Sequence, residues 1–280
     1  MKKGLLLGAL LLGAGAVSAQ NLYVGLQGGY GIGTPSEVVG TTTVVTASGQ
    51  TETNSYGTFG EGANIGLNVG YMFSEHVGAE LGFNYFLGST VESNNTTIPN
   101  GTGGVNTVTV NSKSTQFRLA PSLVVTTGGD FALYGKGGLV LPVGGSTVTE
   151  YRDSGTNPLV GSVEQDFESK GAMSIGFQGA MGVSYNLSDK LSLFGELGAV
   201  NLRIKSDTRS VTAYRVDGTD QMSNLDTYDK ETVYVEELGP NSNNGAYNLT
   251  SVDENKAREE LSNSTNYNAM FISIGVKFSL

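Results

Sequence analysis

Ala63-Asn64-Ile65-Gly66-Leu67-Asn68-Val69-Gly70-Tyr71-Met72-Phe73 alternates apolar residues with mostly Asn and Gly. Strict period two marks a β-strand with one apolar face. Ser74-Glu75-His76 separates this run from a second of the same kind, 77–87, so the two read as a tight hairpin. The other face of the strands decides the fold. A soluble strand would turn charge to water there, but here the residues are mostly Gly and Asn, and Glu80 is the one charge. Such a strand suits a wall with lipid outside and a narrow polar lumen inside.

The same alternation recurs at 22–32, 117–125, 131–143, 173–187, 191–199 and 270–280. With the first hairpin this makes eight strands, each at or beyond the roughly 9–11 residues that cross a bilayer when tilted. Short connections at 74–76, 127–130 and 188–190 alternate with long polar ones at about 34–60, 89–113, 144–169 and 205–266. The reading is all-β: an eight-stranded antiparallel up-and-down transmembrane β-barrel with long extracellular loops, its termini and short turns periplasmic. A soluble sandwich or lipocalin also alternates, but with apolar residues inside. A ten-stranded barrel would insert 211–216 and 232–237; Arg215, Glu236 and Glu237 lie in or beside those runs, and no short turn joins them.

Composition narrows the chemistry. The 280 residues include 41 Gly, no Cys and a single histidine, His76. No disulfide, thiolate metal site or cysteine nucleophile is available. A net charge of −10 argues against nucleic acid as a partner. Lys2 and Lys3, an apolar stretch at 4–16 and Val17-Ser18-Ala19 read as a signal peptide over 1–19, too short to span a bilayer. The barrel domain is then 20–280.

Charges within the spanning runs test the assignment of faces. Glu80, Arg118, Lys136, Glu196 and Lys277 all fall in the polar phase. A lysine or arginine facing lipid at mid-depth would cost about 2–4 kcal/mol. They are expected to form a lumen ion-pair network that plugs the pore. Strand adjacency favours Glu80 with Arg118 and Glu196 with Lys277, leaving Lys136 to reach either acid. Tyr71, Phe73, Phe131, Tyr185 and Phe278 suggest a lower aromatic girdle; Tyr30, Tyr85 and Phe117 suggest an upper one. The phase is unclear at Tyr134, which shares a face with Lys136. Beyond Ala199 the apolar phase switches to Val200, Leu202 and Ile204, which reads as a bulge or as strand rising above the bilayer.

The C-terminus, Ser273-Ile274-Gly275-Val276-Lys277-Phe278-Ser279-Leu280, resembles the outer-membrane assembly signal. Ser273, Gly275, Phe278 and Leu280 occupy its polar, glycine and hydrophobic positions, with Leu280 in place of the usual terminal aromatic. Segments 70–81 and 184–197 resemble the strand–turn–strand units of OmpA-like small transmembrane barrels. The resemblance implies residence in the outer membrane, with its lipid and the barrel-assembly machinery as partners, and no cofactor. It implies no particular function, because such families include structural surface proteins, adhesins, small channels and a few lipid-modifying enzymes. No peptidoglycan-binding domain is expected after the last strand.

The loops carry the remaining signals. Runs 41–47 and 105–110 are β-prone, so hairpins should rise above the membrane. Ser251-Val252-Asp253-Glu254 before 257–261 has capping-box spacing and predicts a short helix. Asp217, Asp220, Asp226 and Asp229 lack the spacing of a calcium loop. No catalytic constellation is visible, and His76 falls in a periplasmic turn. The expected function is therefore a non-enzymatic barrel whose acidic loops meet an unidentified extracellular ligand. The alternatives are a small-solute channel and an outer-membrane lipid-modifying enzyme or protease.

Overall fold

The computed structural model describes residues 22–34, 37–101, 103–157 and 161–280. The signal segment 1–19 lies outside the described residues. In chain order the strands begin with β1 (Leu22–Gly33), β2 (Glu37–Thr46), β3 (Gly49–Gly57), β4 (Gly62–Met72), β5 (Val77–Gly88) and β6 (Val91–Pro99). Next come β7 (Val105–Thr126), β8 (Phe131–Asp153), β9 (Val163–Gly171), β10 (Gly176–Asn186), β11 (Leu191–Asn201) and β12 (Arg203–Val216). β13 (Thr219–Asp220), helix α1 (Thr227–Lys230), β14 (Glu231–Val235), β15 (Arg258–Leu261), β16 (Ser264–Asn266) and β17 (Ala269–Ser279) complete the chain.

Eight of these strands close a ring. β1 pairs β4, then follow β5, β7, β8, β10, β11 and β17, which returns to β1; every pairing is antiparallel. All eight lie where the alternation places them. Closure leaves no strand edge exposed to lipid, as a membrane wall requires.

The wall is inverted relative to a soluble barrel. Leu67, Leu123, Leu133, Met181, Leu197 and Ile274 are exposed on its outside, Met181 at 76%. Asn68, Gln116, Ser122, Glu196 and Ser273 are buried inside. Aromatics mark the ends of the apolar band: Phe73, Phe131, Tyr185 and Phe278 point outward below, and Tyr30, Tyr85 and Phe117 above. Tyr71, half-buried, packs edge-on against Phe73 at 5.7 Å.

The long connections fold into a second tier. β7 and β8 run far past the lipid band, their pairing shifted by one residue between Phe117 and Arg118, where Pro142 and Val143 bulge. Above that point β9 joins β8 and β12, β12 joins β14, and β15 adds parallel to β14. On the other side β6 pairs β7, β2 adds parallel to β6, and β3 closes a hairpin on β2. The β-prone runs at 41–47, 105–110, 211–216 and 232–237 thus become strands of this extracellular head, and the barrel wall stays at eight.

One local expectation fails. The segment around 257–261 is strand β15, not a helix. The Asn243 amide donates to the carbonyls of Asp253, Lys256 and Ala257 and accepts from Asp253 N at 2.7 Å, holding the segment open. Arg258 then pairs with Asp229 at 3.2 Å and Glu260 with Arg209 at 3.2 Å, which suits an added edge strand.

Candidate functional site

The lumen holds the chemistry, and its paired charges centre on Lys136. Its Nζ lies 3.2 Å from Glu80 Oε1 and 2.8 Å from Glu196 Oε1, with all three side chains almost fully buried. Two phenols complete the layer: Tyr23 donates to Glu80 Oε2 at 2.9 Å and Tyr134 to Glu196 Oε1 at 2.8 Å. Tyr134 therefore belongs to the lumen face, which settles the ambiguous phase of β8.

Glycines make these rings possible. Tyr23 is the cross-strand partner of Gly70, Tyr134 of Gly182, and Phe194 of Gly275. A Cβ on any of these glycines would collide with the partner's ring. The ring lies over its neighbour's bare backbone, so a large side chain fits inside a narrow tube.

The two remaining cations do not pair as adjacency predicts. Lys277 has no carboxylate at salt-bridge distance among the described residues; its Nζ sits 4.4 Å from the Tyr134 ring, 4.9 Å from Phe194 and 5.2 Å from Tyr23. The register explains this: Lys277 faces Ser192 on β11, whereas Glu196 faces Ser273. Arg118 faces Asn84 on β5 while Glu80 faces Ser122, so the expected Glu80–Arg118 pair is separated by two inward positions. Arg118 instead donates from Nε to Gln116 Oε1 at 2.8 Å and lies 4.0 Å over the Phe86 ring.

Above the charged layer comes a belt of amides. Gln27 donates to Asn84 at 3.3 Å, Asn68 to Gln27 at 3.2 Å and Gln178 to Ser122 at 3.1 Å. A cavity of about 60 Å³ remains among them.

An apolar cap closes the upper end. Phe86, Val140, Leu202, Ile204 and Tyr267 form one buried cluster, with Phe59 and Val200 packed against it. The phase switch after Ala199 is thus the strand turning Leu202 and Ile204 into this cap. Two short segments carry Phe59 and Tyr267 across the mouth. Thr58 Oγ1 and Phe59 N both donate to the Asn266 carbonyl at 3.0 Å, and Tyr267 N donates to the Leu202 carbonyl at 2.8 Å. A Cβ at Gly60 would meet the Tyr267 backbone, so only glycine fits this crossing. The Tyr267 hydroxyl bonds to Ser114 Oγ at 3.0 Å and Thr147 Oγ1 at 3.2 Å, anchoring the cap to β7 and β8. Tyr267 did not stand out in the sequence, because it lies in a break between β16 and β17.

Other singled-out residues are dispersed. His76 is exposed in the turn between β4 and β5, its Nδ1 3.1 Å from the Thr126 carbonyl. Asp220 accepts from Met222 N and Asp226 from Asp229 N as the α1 cap, each within a local turn, whereas Asp217 accepts from Ser162 N, 55 residues away, and ties the end of β12 to the start of β9. Of the C-terminal residues, Ser273 faces the lumen, Gly275 underlies Phe194, Phe278 faces lipid, and Leu280 N donates to the Leu22 carbonyl at 3.0 Å.

A ring of eight antiparallel strands, apolar outside and polar within, defines a small integral barrel of the outer membrane. A family model described as the outer membrane protein beta-barrel domain matches residues 5–235, and the chain belongs to that family. Among solved structures it is similar to the outer membrane protein OprG from Pseudomonas aeruginosa, at 12% identity and a TM-score of 0.41. That similarity covers 92% of this chain and 95% of the other. No curated protein matches it in sequence.

Proposed function

We propose that this protein is a non-enzymatic outer-membrane barrel whose folded extracellular head is its working surface. The observation that carries this reading is closure of the lumen at two levels, beneath a head built from most of the long loops. The Lys136 layer blocks the tube with buried charge pairs, and the Tyr267 cap blocks it with packed apolar side chains. Eight strands leave an interior that side chains just fill. The head presents β3 as an exposed strand at one end of the sheet and β15 near the other, together with acidic turns at Asp217, Asp220 and Asp226. Its ligand is an extracellular molecule met by these loops. Lipid and the barrel-assembly machinery are the partners of the wall. Residues 1–19 act as the export signal.

Planar-bilayer recording separates this reading from the channel. The parent protein is expected to give no large steady conductance; a steady open pore would overturn the closed-lumen reading. The enzyme alternative finds little support, because His76 sits in an exposed turn at the end opposite the head. Lipid A modification, phospholipase or protease activity that disappears in His76→Ala would reinstate it.

A further inference from the structure

Arg118 is nine-tenths buried in the lumen, between the Lys136 layer and the apolar cap. Its Nε is used by Gln116, but its Nη2 has no partner among the described residues. No carboxylate reaches it, since Glu80 and Glu196 are both held by Lys136 two levels below. Of the three lumen cations only Lys136 meets a carboxylate; Lys277 lies against the rings of Tyr134, Phe194 and Tyr23, and Arg118 is the one on the cap side of the Lys136 layer. The Phe86 face beneath the guanidinium offsets part of the desolvation, but a ring quadrupole is not a counter-charge.

A cavity of about 60 Å³ adjoins this guanidinium and is bordered by the amides of Asn64, Asn84 and Gln178. Asn64 Oδ1 is also buried without a partner among the described residues. The Asn64 NH₂ is held by Asn84 Oδ1 at 3.5 Å, and Asn84 Oδ1 also accepts from Gln27, so Asn64 keeps this orientation and adds no donor to the site. Glu196 borders the lower end, where its Oε2 also lacks a partner, so a negative ion is pushed toward Arg118. A water needs about 10–15 Å³ of such space, which leaves room for a small ion and a few waters but not for a sugar or phosphate ester.

We infer that this cavity binds a small monovalent anion of halide size, held by Arg118 Nη2 with the amides of Asn84 and Gln178 as further donors. The site lies within the closed barrel and is independent of what the head contacts. Crystals of the parent barrel soaked in bromide test it directly. The expected result is an anomalous peak within hydrogen-bonding distance of Arg118 Nη2. No peak there, while bromide appears elsewhere on the protein, overturns the proposal. A peak that persists in Arg118→Met marks an adventitious ion only and overturns it too. In detergent micelles, replacing gluconate by chloride at constant ionic strength should raise the parent's urea midpoint saturably. Arg118→Met should lose that shift; an equal shift in both proteins, or none in the parent, counts against the site. If Arg118→Met does not fold, Arg118→Lys serves, with a weaker chloride response expected because the fork of donors is lost. An unaltered response in Arg118→Lys would overturn the assignment to Nη2.

Discussion

Lys136 is the residue on which the lumen turns, because one ammonium serves two buried carboxylates. Replacing it strands both acids in a site that water does not freely enter. Lys136→Met is expected to lower stability by about 3–5 kcal/mol, read from urea unfolding in micelles. Adding Glu80→Gln and Glu196→Gln to that variant should recover much of the loss, since no unpaired charge remains. Failure of the triple variant to recover would show that packing, not charge, dominates the layer. The five charged residues were legible as lumen residues from phase alone. Their partners were not, because pairing depends on cross-strand register, and register is invisible in a single run of alternating residues. Tyr23 was missed and Tyr134 showed only as an unclear phase for a related reason: a phenol in the polar phase looks like an error until the glycine opposite it is known.

At the scale of elements, the transmembrane strands followed their periodicity closely, and the head took up its β-prone runs but not its helix signal. Strand β15 carries a helix-start pattern that lost to hydrogen bonds from Asn243 and to the open edge of β14. Local propensity is a weak prior when a sheet edge is within reach. The ring-over-glycine pairs yield a sharper expectation. Gly182→Val should displace the Tyr134 ring from Glu196 and slow or prevent folding, seen as loss of the heat-modifiable band on gels. Gly28→Val is the control, because a Cβ there meets open space; a similar defect in both would refute the steric account. The head's own turns respond to acid. Partial desolvation raises the Asp153 carboxyl, but hydrogen bonds from Thr156 and Gly155 outweigh it and hold it below the usual aspartate range. A depressed carboxylate contributes stability above its unfolded value and loses it as pH falls through the folded one. Amide exchange at Gly155 and Thr156, corrected for intrinsic rate, should therefore stay protected at neutral pH. It should accelerate only below the usual aspartate range, and early loss of protection would disprove the capping role.

For the molecule as a whole, wall and head differ in what holds them. The wall is a closed ring, whereas the head is a sheet with two ends, so shortening the head should spare the ring. Deleting residues 41–53 is expected to leave heat-modifiable mobility intact; its loss would mean that the β2–β3 hairpin is needed for closure. Edman sequencing of the outer-membrane protein should begin at Gln20, and a chain still starting at Met1 would remove the export segment from the account.

The cap also has a consequence in time. Thr58 and Asn266, which join its two halves, are 208 residues apart, and the second half directly precedes the strand that seals the ring. Contacts so distant in the chain form late. Seven inserted strands are an open trough with a wet mouth; the seam between β1 and β17 and the stopper above it are completed together. Leakage across the bilayer during insertion should therefore end in a single step, at the moment the last strand docks.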